Sequence, residues 1–223
     1  MATNMSTNSV SKLRFLPDGA NDYLRRRATE AWGLALIITA LVLALTFLSF
    51  SVDDPSANHA ITGPVYNFLG VPGAWVADLV LQTIGLAGGL ICLTLLAWGW
   101  RMISHRGLPL LWLNMSTLPV MLVGASFVLA AFSVPQNWPL ASGLGGWVGD
   151  GLFRSAVHLG QEAGLPMSPG LYGLIAAPVV LILIGISFAL SPSEWRALSF
   201  GAWRSVRHTQ NLVSGLGQAK DNA

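Results

Sequence analysis

AWGLALIITALVLALTFLSF, residues 31–50, carries no charged side chain. Its apolar residues are continuous rather than confined to one stripe, so no face of a helix built from them suits water. About 20 such residues, rising 1.5 Å each, match the ~30 Å hydrocarbon core of a bilayer. This stretch is a membrane span. Three other runs share its character: 75–100, with Asp78 as its only charge; 110–132, whose first half carries Asn114, Ser116, Thr117 and Pro119; and 171–190, interrupted by Pro178. Composition agrees, with 53% hydrophobic and 10% charged residues where a soluble domain has about 25% charged. Barrel strands alternate over about ten residues, and these runs do not. The first run exceeds a signal-peptide core of about 7–15 residues and follows a long polar segment, so it is not a cleaved leader. The predicted fold is an all-α membrane protein with four transmembrane helices.

Charge orients the bundle. Lys and Arg near span ends stay on the cytoplasmic side. Of the twelve Lys and Arg, eleven lie in the N-terminal segment (Lys12, Arg14, Arg25, Arg26, Arg27), between spans two and three (Arg101, Arg106) or after span four (Arg196, Arg204, Arg207, Lys220). Arg154 alone falls in the other loops. Both termini are therefore predicted to be cytoplasmic, with loops 51–74 and 133–170 outside. Residues 1–24, rich in Ser, Thr and Asn, read as a disordered tail, and 25–190 as the four-span unit. In 191–208, SPSEWRALSFGAWRSVRH, Ser191, Pro192 and Glu194 form a capping-box start. Trp195, Leu198, Ala202 and Val206 share one face, with Arg196, Arg204 and Arg207 elsewhere, as in a helix lying on the inner leaflet; a helical continuation of span four is the alternative. Residues 209–223 read as the start of a linker.

Chemistry is sparse. His59, His105, His158 and His208 are scattered over both sides, so no metal cluster assembles. Cys92 has no partner for an internal disulfide. SGLGGWVGDG, residues 142–151, lacks the G-x-G-x-x-G spacing and a preceding strand, and no G-x-x-x-x-G-K-[ST] occurs. No catalytic residue, cofactor, metal or direct nucleic-acid contact is predicted, and the bilayer is the evident partner. Beyond those glycines, Trp147, Val148, Leu152, Phe153, Ala156, Val157 and Leu159 recur at helical spacing, which predicts a short interfacial helix in the outer loop, with a solvated loop as the alternative. In span two, Asp78, Gln82, Gly85 and Gly89 repeat at 4, 3 and 4, which on a straight helix makes one stripe. Its G-x-x-x-G pair suits close helix approach, Asp78 suits a helix N-terminus, and Trp75 suits the aromatic belt. The alternative is a small transporter or channel subunit in which Asp78 and Gln82 line a water-filled path.

PGAWVAD (residues 72–78, with Pro72, Gly73, Ala74 and Trp75), DDPS after span one (Asp54, Pro55) and GGWVGDGLF (Gly145, Gly146, Gly149) together resemble the N-terminal membrane domain of the FtsK/SpoIIIE family of bacterial DNA translocases. An aromatic often follows D-P-S in that family, where this chain has Ala57. The resemblance implies a hexameric anchor in the inner membrane at the division septum, serving cell division and chromosome segregation among divisome membrane proteins. It also implies an ATP-driven motor beyond a linker that begins near Thr209. The motor is not in this sequence, so the chain reads as part of a longer translocase or as a separate anchor.

Overall fold

The computed structural model describes residues 20–55, 64–136, 138–140, 142–165, 167–191 and 193–196. Six α-helices run through them, with no strand among the described residues: α1 (Ala20–Leu48), α2 (Gly70–Ile84), α3 (Gly89–Ile103), α4 (Leu111–Ala130), α5 (Gly146–Glu162) and α6 (Pro169–Ser187). A 3-10 turn, Gly85–Gly88, joins α2 to α3. Four apolar helical runs are long enough to cross a membrane: Asn21–Leu48, Gly70–Ile103, Leu111–Ala130 and Pro169–Ser187.

α1 begins at Ala20, so helix takes in residues 20–24 that composition assigns to the disordered tail. Asp22 sits in its first turn, where the helix dipole favours an acidic side chain. The Arg27 guanidinium lies 5.2 Å from the centre of the Tyr23 ring and pairs with Glu30 at 2.7 Å, one turn on. α1 then packs along α3, and α4 along α6. Close approach in the first pair comes from two facing glycines: a methyl at Gly33 would sit 2.8 Å from Gly99 O, and one at Gly99 would sit 2.6 Å from Gly33 O. The polar first half of α4 is satisfied locally. Asn114 is 3% exposed and donates to Pro109 O, and the Ser116 and Thr117 hydroxyls donate to Leu113 O.

Span two is not the straight helix that its apolar run suggests. The 34 residues of Gly70–Ile103 would reach about 51 Å at 1.5 Å each, far beyond the ~30 Å core. Gly85 breaks the run at φ 61°, ψ −143°. A methyl at Gly88 would lie 2.6 Å from the Val80 side chain, although eight residues of straight helix separate their ends by about 12 Å. The chain therefore bends sharply. α2 starts beside the C-terminal end of α1, called the outer end after the side that the charge bias predicts for it, where Asn67 Nδ2 donates to Thr46 O at 2.9 Å. It ends beside the outer end of α4, where Ser126 Oγ donates to Ile84 O at 3.0 Å. With both ends at that level, α2 crosses the outer face of the bundle, and the membrane crossing falls to the 3-10 turn and α3. At the bend, Ala87, Ala125 and Val180 form the buried core, with Ile84, Leu90 and Ile184 packed on it.

The inner end closes differently. α6 stops at Ser187, Ala189 adopts φ 56°, and Leu190 N bonds back to Gly185 O at 3.0 Å. This left-handed stop excludes a straight continuation of span four. Residues 193–196 are again helical. Trp195 folds back onto Gly185, whose missing side chain makes room for the indole.

Candidate functional site

Three arrangements at the bundle ends gather Asp54, the glycines of the outer loop and Glu194. The first fastens the outer loop. Asp54, 4% exposed, accepts from Tyr66 N at 2.6 Å and Asn67 N at 3.0 Å. Asn67, also 4% exposed, reaches the Thr46 and Ser49 carbonyls, while Ser49 Oγ accepts from Phe68 N. The last carbonyls of a helix have no intrahelical donor, so Asn67 completes the end of α1. Gly73 on α2 packs against Asn67, with Ala74 buried beside it; Pro72 and Trp75 face outward, and Pro55 is half-buried. The D-P and P-G-A-W motifs therefore meet in one clamp.

The second arrangement is a glycine joint. At the Gly85 break, Leu86 N loses its helical acceptor and instead donates to Leu144 O at 3.0 Å. Ile84 O, left over at the end of α2, accepts from Ser126 of α4. Gly146, at φ 69°, packs directly on this break: a methyl there would sit 2.7 Å from Ile84 N, and one at Gly85 would sit 2.6 Å from Gly146 N. Gly145 and Gly149 press on Ser126 and Ala130 of α4. Asp150 turns back to accept from Gly143 N at 2.8 Å, which fixes the turn into α5. Phe153 then packs against Phe127 and Tyr172, with ring centres 5.7 and 6.1 Å apart. α5 thus rests on the bundle by its small and aromatic face, with Trp147 and Leu159 outward.

Between clamp and joint opens a cleft of ≈520 Å³, lined by Asp78, Gln82, Asp150, Arg154, Trp147 and Phe50 among others. Asp78 Oδ1 accepts from Gln82 Nε2 at 2.6 Å. Every lining residue belongs to the outer end. Asp78 is therefore 8% exposed within an outer-face helix, not deep in a span.

The predicted stripe of Asp78, Gln82, Gly85 and Gly89 is corrected accordingly. The break divides it: Asp78 and Gln82 line the cleft, Gly85 serves the joint, and Gly89 faces open space, with nothing within 4 Å of an added methyl. A period of 3.6 holds only while the helix continues, and Gly85 ends it.

The third arrangement is a clasp at the inner end. Glu194 reciprocates with Ser191, its Oε2 accepting from Ser191 N at 2.8 Å and its N–H donating to Ser191 Oγ at 3.3 Å. The same carboxylate accepts from Arg101 Nη1 at 2.8 Å and Arg106 Nη1 at 2.6 Å. Arg101 is 7% exposed and also donates from Nε to Gly107 O, while Trp98 Nε1 donates to Ser187 O at 2.7 Å. The Ser191 N–H, and then Arg101, hold the Glu194 carboxyl down at about 2, from the usual 4.5. Because the folded-state value is depressed, this stabilisation is complete above about 4.5 and fades as pH falls toward 2. Thermal melting should show a gap between wild type and Glu194→Gln that is constant above about pH 4.5 and closes toward pH 2; a gap that persists at the acid end would refute the ionised clasp.

Arg196 is exposed; Arg204 and Arg207, with Leu198, Ala202 and Val206 of the predicted apolar face, lie outside the described residues. No group of three metal-ligating side chains comes together among the described residues. Sequence reasoning missed Ser126, which looks like any small residue in a span, and the link from Glu194 to Arg101, which lies 93 positions away. The grouping of Asp150 and Arg154 with Asp78 was equally invisible, because it depends on the bend at Gly85.

The sequence matches the family described as the 4TM region of DNA translocase FtsK/SpoIIIE over residues 25–200. Among curated relatives, the DNA translocase FtsK of Bradyrhizobium diazoefficiens is 37% identical over 140 residues, covering 63% of this chain and 17% of that protein. That of Mesorhizobium japonicum is 30% identical over 191 residues, or 82% and 19% of the two chains. That of Azospirillum brasilense is 29% identical over 213 residues, or 94% and 32%. The chain spans less than a third of the length of each of these relatives. No solved structure matches.

Proposed function

The chain belongs to the family of four-transmembrane regions of FtsK/SpoIIIE DNA translocases, and from that membership we propose that it anchors such a translocase in the inner membrane at the division septum. In this reading it self-associates as a hexamer, meets other septal membrane proteins through its outer face, and serves cell division and chromosome segregation. ATP hydrolysis and DNA movement belong to a motor joined through the segment after Arg196.

The observation that carries the proposal is the inner clasp, set beside a family match that takes in all four spans. A motor pulling on DNA pulls back on its anchor, and the force arrives at the segment leaving α6. A bare helix end would fray under such a load, because its last carbonyls have no intrahelical donor. Here tension on residue 196 passes through Glu194 to Arg101 of α3 and through Trp195 to Gly185 of α6. Two spans share the load. The outer cleft supports interaction rather than transport, because all its lining residues lie at one end of the bundle.

A tagged chain of residues 1–223, expressed in cells lacking the resident membrane domain, tests the proposal. Septal fluorescence with restored division, and no gain of chromosome translocation, is the expected outcome. Uniform membrane fluorescence without rescue would overturn it.

A further inference from the structure

Beside the clasp lies a pocket of ≈480 Å³ lined by Arg101, Arg106, Ser191, Ser193 and Glu194. Among the described residues its donors are not used up. A guanidinium carries five N–H donors, yet the bonds of Arg101 leave from Nε and Nη1 only, although the residue is 7% exposed. Its Nη2 group has no acceptor among the described residues. Arg106 makes a single ion pair among the described residues and keeps a 57% exposed side chain. Among the described residues two guanidinium charges thus meet one carboxylate, leaving a net charge of one positive unit. Ser191 Oγ and Ser193 Oγ, 2.9 Å apart, add hydroxyls to the same wall.

Guanidinium and hydroxyl donors around one uncompensated positive charge, partly withdrawn from water, form a receptor for a phosphate oxyanion. We propose that this pocket binds the phosphodiester of an anionic phospholipid headgroup. Its position selects lipid over soluble phosphate. Trp100, Leu110 and Trp112, at the same end of the bundle, are 63%, 73% and 85% exposed, an apolar flank on which acyl chains can lie with the indoles at headgroup depth. The negative cytoplasmic leaflet supplies the ligand next to the site. One acidic residue then has two tasks. Glu194 holds the juxtamembrane helix to the bundle, and it limits lipid affinity by competing for both arginines.

The 223-residue chain in phosphatidylcholine vesicles or nanodiscs, titrated with phosphatidylglycerol, tests the site, with retained lipid counted by native mass spectrometry. Phosphatidylglycerol should be retained over phosphatidylcholine. Arg106→Gln should weaken that retention by roughly tenfold or more, the effect of losing one charge-assisted hydrogen bond. Glu194→Gln keeps the capping geometry while removing the competing charge, so it should strengthen retention. Ser193→Ala, which leaves the ion pairs in place, should weaken it. Equal retention of the two lipids, or Arg106→Gln and Glu194→Gln shifting retention in the same direction, would overturn the proposal. Inorganic phosphate that raises the melting temperature as much as phosphatidylglycerol does would also overturn it, by assigning the pocket to a soluble oxyanion.

Discussion

Gly85→Leu is expected to abolish accumulation of folded protein, while Gly89→Leu leaves it near the wild-type level. Both glycines belong to one G-x-x-x-G pair, so their sequence context does not separate them. Their surroundings do. At φ 61°, ψ −143°, Gly85 occupies a backbone region that side-chain-bearing residues scarcely visit, at a cost of about 1–3 kcal/mol. Any Cβ there also meets backbone atoms, Gly146 N at 2.6 Å and Gly145 C at 2.8 Å, which cannot rotate away as a side chain would. Forced overpacking adds about 1–3 kcal/mol. Yielding by the outer loop would take away the Leu144 O acceptor of Leu86 N and uncouple α5 from the bend. The joint is reciprocal, so Gly146→Leu should fail in the same way, whereas Gly151→Ala on α5, with nothing within 4 Å, should not. Monodisperse protein after detergent extraction, and its melting temperature, measure the effect. Equal yields for Gly85→Leu and Gly89→Leu would remove the joint from the account of this fold.

Most of the architecture was legible because lipid imposes a coarse rule: a span is about 20 apolar residues, and the chain has four such runs. The capping box at Ser191 and Glu194 rests on similarly local physics, and its reciprocal bonds form. The bend at Gly85 escaped for a physical reason. Apolar periodicity does not distinguish a helix crossing lipid from one lying against it, and residues 75–100 are apolar either way. What turns the chain is a contact between glycines sixty-one positions apart, Gly85 and Gly146, each ordinary in its own segment. Asp78 belongs to the outer-face helix, where it is 8% exposed and accepts from Gln82 Nε2, rather than to a helix crossing lipid. D-P, P-G-A-W and G-G-x-x-G, the segments that carry the family resemblance, are the ones that meet in the clamp and the joint.

The clamp sets the second large expectation. Asp53 and Asp54 are adjacent and chemically identical, yet only Asp54→Ala should cost the fold heavily. Asp53 is exposed, and substitutions at such positions usually stay within about 0.5 kcal/mol. Asp54 is 4% exposed and holds two backbone N–H groups, those of Tyr66 and Asn67. A buried donor left without its partner costs about 1–3 kcal/mol, so Asp54→Ala should lose roughly 2–4 kcal/mol, and Asp54→Asn, which keeps one acceptor oxygen, about half of that. The damage should spread in a defined direction. With Asn67 released, the Thr46 carbonyl loses its donor and Gly73 loses the surface it packs on, so the end of α1 and the start of α2 should loosen together. Hydrogen exchange should therefore rise at residues 45–50 and 66–74 in Asp54→Ala and stay unchanged around Arg101 at the opposite end. Exchange that rises in only one of those two segments, or a melting temperature that falls equally for Asp53→Ala, would mean that Asp54 does not join α1 to α2.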